Sequence, residues 1–159
     1  MIEQFLSFLT VELTVLFTAA LPIIELRGAI PIGMSLGLSP LHAVLISFIG
    51  SMIPVPFILF LIRPIFNVMK KTKLLKGIAD KLTLRSKSKN SDKIKKYGAW
   101  ALIPIVAIPL PGTGVWSGSL AAALFDMRFK WAFPAIFVGN LIAAMAVLFF
   151  SSGVMNILG

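Results

Sequence analysis

Two interrupted stretches, Pro22-Ile-Ile-Glu-Leu-Arg-Gly-Ala-Ile-Pro31 and Pro109-Leu-Pro-Gly-Thr-Gly114, lie inside otherwise apolar segments of this 159-residue sequence. Proline lacks the backbone N–H that a helix needs and glycine weakens a helix, so each stretch is expected to break one. Broken backbone at membrane depth is tolerated only where protein or water covers it. These two stretches therefore decide the fold if their surroundings lie in a membrane.

The composition is that of an integral membrane protein. Hydrophobic residues make up 58% of the chain, charged residues make up 13%, and the mean hydropathy is +0.96. No Asp, Glu, Lys or Arg occurs at residues 28–62, 97–125 or 131–159. Each tract is longer than the roughly 20 apolar residues that a helix needs to cross the hydrocarbon core. We predict an all-α, multi-pass protein of the cell inner (plasma) membrane.

Most of the positive charge lies between two apolar halves. Residues 63–96 hold twelve of the fifteen basic residues, against Asp80 and Asp92. Basic residues concentrated in one loop indicate a cytoplasmic linker, and no nucleic-acid-binding motif accompanies them. Between positions 64 and 84 apolar residues recur at helical spacing with lysines on the other face. This pattern predicts an amphipathic helix, which either lies on an anionic leaflet or is solvated.

The two halves share one layout. A shift of 89 positions places Pro22 on Pro111 and Gly50 on Gly139. Interrupted hydrophobic segments at matching places in two halves are typical of transporters with internal repeats. We predict one membrane domain over residues 1–159, with a first repeat at about residues 5–62, the basic linker at about 63–96 and a second repeat at about 97–152.

The breaks predict re-entrant helical hairpins at residues 8–38 and 98–125, and full spans at residues 40–62 and 130–150. A hairpin enters and leaves by one face, so this arrangement makes the repeat inverted and brings both hairpin tips near the midplane. The turn at residues 126–130 is then cytoplasmic, in agreement with Arg128 and Lys130. The alternative, four plain spans, would place these two residues outside.

Glu25 and Arg27 are ionisable residues in the first break. Such groups at membrane depth are usually paired or face a cavity. We expect a strand-like segment that points both to one side, with Arg27 as the anchor for a phosphate or carboxylate. Glu25 either holds Arg27 in place or carries a proton, which makes it the candidate for proton coupling. The structural alternative is a buried ion pair that only fixes the hairpin tip.

The second break offers backbone groups and a hydroxyl. Its glycines would let a ligand approach the backbone, the following helix presents free N–H groups to an anion, and Thr113 adds a hydroxyl. The predicted substrate-binding residues are Glu25, Arg27, Gly28, Pro31, Pro109, Pro111, Gly112, Thr113, Gly114 and Trp116. We predict no catalytic residue, metal site or cofactor, because the chain has no cysteine, one histidine and no catalytic motif.

The stretch Glu25-Leu-Arg-Gly-Ala-Ile-Pro31 and the stretch Pro109-Leu-Pro-Gly-Thr-Gly114, with Trp116 after it, resemble the putative small multidrug export protein family. That family is similar to the DedA/VTT (SNARE-associated) membrane protein superfamily, although no Arg lies between Tyr97 and Asp126 as the DedA pattern would have it. The resemblance implies opposed re-entrant hairpins and transport or scrambling of lipids. In bacterial members it implies undecaprenyl phosphate recycling that depends on the proton-motive force, whereas the family's own name implies drug export.

Three functions remain open. The first is a transporter or flippase for an anionic amphiphile, such as a polyprenyl phosphate or a phospholipid, with a proton as the candidate coupling ion. The second is a small-molecule or multidrug exporter, which would need Glu25 exposed and Arg27 turned away. The third is a membrane scaffold without translocation, and an enzyme is least expected. The expected partners are membrane lipids and an anionic lipid or other phosphate-bearing substrate, with no nucleic acid. A second copy of this chain is a further candidate partner.

Overall fold

The structure is a computed structural model that describes residues 1–69, 91–108, 110 and 113–158. These residues form only helices and the connections between them, with no strand among them. The helices are α1 (Ile2–Ala20), α2 (Glu25–Ser35), α3 (Pro40–Met52), α4 (Pro54–Met69), α5 (Ser91–Ala107), α6 (Val115–Leu124) and α7 (Phe129–Leu158).

Within the described residues, three helical segments are long and apolar enough to cross a membrane: Ile2–Ala20, Pro40–Ile65 and Phe129–Val154. The last two contain 26 residues each, start 89 positions apart and include the predicted spans at residues 40–62 and 130–150. By contrast, α2 has 11 residues and α6 has 10, which is too short to cross. The prediction of an all-α, multi-pass membrane protein is therefore confirmed.

The same turn precedes both 26-residue segments. Leu36 ends α2 with φ −84° and ψ 5°, and Phe125 ends α6 with φ −83° and ψ 6°. The next residues, Gly37 and Asp126, both have positive φ, at 93° and 51°. Glycine adopts this left-handed backbone freely, and Asp is among the few other residues that tolerate it. The two halves therefore share local backbone geometry as well as sequence layout.

Aromatic contacts show that the two 26-residue segments run antiparallel. The rings of Phe60 and Phe129 stack with centroids 5.0 Å apart. The rings of Phe48 and Phe137 meet edge to face, also at 5.0 Å. Residue numbers fall along one segment as they rise along the other, so the start of each lies near the end of its partner.

The two segments cross closely near their middles. Asn140 Nδ2 donates to Ser51 Oγ over 2.8 Å, and these two residues are 89 positions apart.

A side chain at Gly50 would overlap a carbonyl of α1, and one at Gly139 would lie 2.8 Å from a carbonyl of α5. The glycines thus permit the first helix of each half to pack directly on its 26-residue segment.

Each 26-residue segment is accompanied by a helical hairpin. Glu12 of α1 contacts His42 near the start of α3, and Leu16 lies against Gly50 further along, so α1 runs parallel to α3. After a bend at residues 21–24, α2 returns to the turn before Pro40. The bend is therefore level with the middle of the Pro40–Ile65 segment.

The second hairpin repeats this arrangement. Lys96 of α5 lies over the ring of Trp131 near the start of α7, and Ile103 lies against Gly139 further along. The chain bends between the end of α5 at Ala107 and the start of α6 at Val115, and α6 then returns to the turn before α7.

Two hydrophobic cores each combine residues from both halves. The first consists of buried residues of α1, α2, α3 and the turn before α3, together with Ala143, Ala144 and Val147 of α7. The second consists of buried residues of α5, α6, α7 and the turn before α7, together with Val55 and Leu59 of α4. Each half thus completes its core with the far end of the other half's long segment.

The structure differs from the sequence prediction at the linker and at the first break. Helix α4 continues to Met69 and α5 begins at Ser91, so both described ends of the predicted linker at 63–96 are helical. Residues 70–90, which hold most of the predicted amphipathic helix, lie outside the described residues. The first interruption of the helices is also shorter than the predicted stretch of residues 22–31, because α2 begins at Glu25 and includes Pro31. A proline inside a helix removes one backbone hydrogen bond, and α2 tolerates that loss.

Candidate functional site

The bend between α1 and α2 contacts the bend between α5 and α6. The residues that join them are Glu25 and Arg27 from the first half, and Thr113, Gly114 and Trp116 from the second. We call these five residues the bend cluster. It brings together five of the residues that the sequence predicts for substrate binding.

Arg27 caps the C-terminal end of α5. Its Nη2 donates to the carbonyls of Val106 at 2.9 Å and Ile108 at 2.8 Å. Its Nη1 donates to the carbonyl of Thr113 and to Glu25 Oε2, the latter at 3.2 Å. The last carbonyls of a helix have no partner within it, and a cation there also interacts favourably with the helix dipole. The guanidinium is therefore engaged mostly by the protein's own backbone.

Glu25 caps the opposite kind of helix end. Its Oε1 accepts a hydrogen bond from the backbone N–H of Trp116, the second residue of α6, over 3.1 Å. The N-terminal end of a helix attracts anions through its unpaired N–H groups and its dipole. The sequence predicts an anion at the start of α6. In this structure the carboxylate of Glu25 occupies that place, and Glu25 is only 5% exposed.

The local backbone explains how Glu25 and Arg27 reach one cluster. The prediction of a strand-like segment is wrong, because both residues lie in the first turn of α2. Regular helical geometry would point them to different sides, but Glu25 has a φ of 51°. This left-handed conformation is uncommon outside glycine, and it redirects the chain at the start of the helix.

Gly114 allows the two bends to approach. Its φ is 129°, which side-chain-bearing residues rarely adopt. A Cβ at this position would overlap the carboxylate of Glu25 and lie 2.6 Å from Nη1 of Arg27. In this structure the groups that approach the backbone at Gly114 are Glu25 and Arg27, and the approach of a ligand there stays a prediction.

Arg27 and Trp116 occupy positions 89 apart and make corresponding contacts. Arg27 donates to carbonyls at the end of α5, while Trp116 Nε1 donates to the carbonyl of Ala20, the last residue of α1, over 3.1 Å. Each half therefore closes the C-terminal end of the other half's first helix. The halves differ in chemistry, because a neutral indole replaces the guanidinium and Gly114 stands where the first half has Glu25.

The hydroxyl of Thr113 stabilises the second bend itself. Its Oγ1 lies 2.7 Å from the carbonyl of Ile108 and 2.8 Å from that of Leu110. It can donate to only one of these carbonyls at a time, so it is engaged by the backbone in this arrangement.

The other predicted site residues are either outside the bend cluster or outside the described residues. Gly28 lies further along α2, where a Cβ would overlap the side chain of Ile24, and Pro31 is exposed on the same helix. Pro109, Pro111 and Gly112 lie outside the described residues. The carbonyls of Ala20 and Val106 were not predicted. The available signal was indirect, since helix ends leave their last four carbonyls unpaired.

A family model described as "Putative small multi-drug export protein" matches residues 25–146. The match starts at Glu25, includes the whole bend cluster and covers most of the chain. The chain therefore belongs to this family. No curated protein and no solved structure matches the sequence.

Proposed function

We propose that this member of the small multidrug export family is a secondary transporter with two inverted halves, in which the bend cluster is the barrier that opens to let an amphiphilic substrate pass. The observation that carries the proposal is the direct contact between two helix bends, one from each half. Broken helices that meet between inverted repeats form the substrate site in many secondary transporters. The family description names drug export, so small amphiphilic drugs are the first substrates to test.

Matching geometry in the two halves supports the inversion. The two 26-residue segments are antiparallel, and each is accompanied by a hairpin whose bend is level with its middle. The length of α1 alone would let it cross a membrane, but α1 ends near Gly50, partway along its neighbour. With the 26-residue segments spanning the bilayer, the two hairpins enter from opposite faces and meet near the midplane.

The bend cluster has the properties of a closed barrier. Arg27 satisfies carbonyls at the end of α5, and Glu25 satisfies an N–H at the start of α6. When the bends separate, these backbone groups need new partners, because unpaired polar groups are costly at membrane depth. A substrate with polar groups at one end could supply them, and its apolar part would meet the surrounding helices. Opening and substrate binding would therefore be coupled.

For a cationic drug the group to engage is Glu25. The requirement that Glu25 be exposed and Arg27 turned away is not met in this closed arrangement, in which the side chains are 7% and 17% exposed. Export of cations therefore requires the pair to separate. Protonation of Glu25 would weaken its attraction to Arg27, which gives a proton gradient a direct way to drive that separation.

A specific observation favours a second candidate function, a flippase for anionic amphiphiles as in the DedA/VTT resemblance. The Glu25 carboxylate lies between Arg27 Nη1 and the N–H of Trp116, which are both groups that bind phosphate. Arg27 Nε is buried and has no hydrogen-bond partner within the described residues. A phosphate group that displaced Glu25 would therefore meet Arg27 and the start of α6 together.

Transport assays in proteoliposomes distinguish the two functions. One measures efflux of the cationic dye ethidium, and the other measures flipping of a fluorescent phosphatidylglycerol. We expect Glu25→Gln to abolish ethidium efflux if the protein exports cations, and Arg27→Lys to abolish lipid flipping if it moves phosphate lipids. Glu3→Gln and Arg128→Lys are matched controls at exposed positions.

Wild-type protein that moves neither compound above protein-free vesicles would refute transport of both classes. A well-folded Arg27→Lys variant with normal lipid flipping would rule out the anion site.

A further inference from the structure

Two lysines converge on Trp131 at the end of the molecule where α7 begins. Lys96 Nζ lies 5.2 Å and Lys130 Nζ lies 5.4 Å from the ring centroid. The ring attracts both ammonium groups, but the two positive charges repel each other. Neither lysine has an ion-pair partner within the described residues. The charged residues of the preceding turn, Asp126 and Arg128, have interactions of their own.

The equivalent place in the first half contains an anion. Trp131 follows His42 by 89 positions, and His42 Nε2 lies 2.8 Å from Glu12 Oε1. The ring of Phe8 packs beside the imidazole, with centroids 5.6 Å apart. A carboxylate of α1 thus joins α1 to α3. At the corresponding junction of the second half, α5 contributes Lys96, which lies beside a second cation, Lys130 of α7. Neither α7 nor the described side chains of α5 include an acidic residue.

A third cation lies at this end of the molecule. Arg63 is about one turn beyond Phe60, whose ring stacks on Phe129 next to Lys130. Two of its nitrogens, Nε and Nη2, are buried and have no hydrogen-bond partner within the described residues. Arg63 therefore adds further cationic donors to those of the two lysines.

We propose that Lys96, Lys130 and Trp131 bind the phosphate group of an anionic phospholipid in the adjacent leaflet. The candidate membrane-spanning segment starts at Phe129, which would place these residues at the membrane–water boundary, where tryptophan is enriched and lipid phosphates lie. Lysines near such a surface are attracted to anionic lipids. The bound headgroup bridges α5 and α7, as the Glu12–His42 pair bridges α1 and α3. This inference requires membrane insertion but does not depend on the transport proposal.

Native mass spectrometry of the purified full chain tests the site, with phosphatidylglycerol and phosphatidylcholine added at equal concentration. We expect the wild type to prefer phosphatidylglycerol, and each lysine removed to weaken that binding about fivefold. The variant Lys96→Gln/Lys130→Gln should therefore lose about 25-fold. Lys93→Gln, which removes one charge about one turn earlier in the same helix, should lose less than either Lys96→Gln or Lys130→Gln. Lys96→Arg/Lys130→Arg should also retain binding, because it keeps both charges.

Equal phosphatidylglycerol affinity in the wild type and in Lys96→Gln/Lys130→Gln would overturn the proposal, and so would an equal loss in Lys93→Gln. Inorganic phosphate that displaces the lipid at equal concentration would indicate a site for free phosphate instead. If the double variant does not fold, the single variants Lys96→Gln and Lys130→Gln decide the question. Each should then show its own fivefold loss, and wild-type affinity in both would refute the site.

Discussion

Replacing Arg27 measures how strongly the bend cluster holds the two halves together. Its guanidinium donates to the carbonyls of Val106, Ile108 and Thr113 and to the carboxylate of Glu25. In Arg27→Ala the carbonyls lose this donor and the buried carboxylate loses its counter-charge. Removing one partner of a buried ion pair costs about 3–5 kcal/mol. We therefore expect the free energy of unfolding to fall by at least about 3 kcal/mol.

Two milder variants separate charge from geometry. Arg27→Lys keeps the positive charge, but a single ammonium group cannot reach carbonyls on both sides as the planar guanidinium does. We expect this variant to lose about 2 kcal/mol, because it gives up at least two hydrogen bonds. Glu25→Gln offers one amide oxygen to the two donors, Arg27 and Trp116, and should lose about 1–2 kcal/mol.

The assay is equilibrium unfolding of the purified protein in detergent micelles, followed by tryptophan fluorescence and by size-exclusion chromatography. Glu3→Ala, which removes one charge at an exposed position, is the control. In the double variant Glu25→Gln/Arg27→Ala no charge is left stranded, so it should be more stable than Arg27→Ala alone. An Arg27→Ala protein within about 0.5 kcal/mol of the wild type, as for an ordinary surface substitution, would refute the reasoning.

Three further predictions concern the inverted layout and the close contacts between helices. The chain has no native cysteine, so single cysteines can be labelled specifically at Leu41 and Lys130, two exposed positions 89 apart. Leu41→Cys and Lys130→Cys should react with an impermeant maleimide from opposite sides of sealed membranes. Reaction of both variants from the same side would contradict the inversion. Asn140→Leu removes a hydrogen bond between the long segments and should lower the free energy of unfolding by about 1 kcal/mol in the same titration, whereas an unchanged value would make that bond irrelevant to stability. Gly50→Ala should cost about 1–3 kcal/mol because its Cβ overlaps backbone, whereas Gly153→Ala has open space and should cost little, so equal effects would disprove the close approach.

Sequence patterns predicted the helices and their interruptions because length and helix-breaking residues are local properties. Charge-free tracts longer than a bilayer-spanning helix located both 26-residue segments. The extent of the first break was wrong, because Pro31 was counted as a breaker and α2 continues through it. Whether a helix tolerates a proline depends on its packing against neighbouring helices, which a single sequence does not encode locally.

The sequence identifies residues of the bend cluster but not the contacts between them. Charged residues inside an apolar tract identified Glu25 and Arg27, since such groups are costly in a membrane without partners. The carbonyls at the ends of α1 and α5 could not be identified, because every residue has a carbonyl and only the fold decides which remain unpaired. The acceptor for Trp116, the carbonyl of Ala20, belongs to the same class.

The difference between Arg27 and Trp116 gives the proposed barrier a preferred order of opening. Trp116 holds the end of α1 through one neutral hydrogen bond, whereas Arg27 holds the end of α5 through charge-assisted bonds and is paired with Glu25. Charge-assisted hydrogen bonds are roughly twice as strong as neutral ones. Separation should therefore begin where Trp116 meets α1 and reach α5 only when Arg27 is released. Two chemically identical halves would have no such bias, so the order depends on the residues at positions 27 and 116 rather than on the repeated fold.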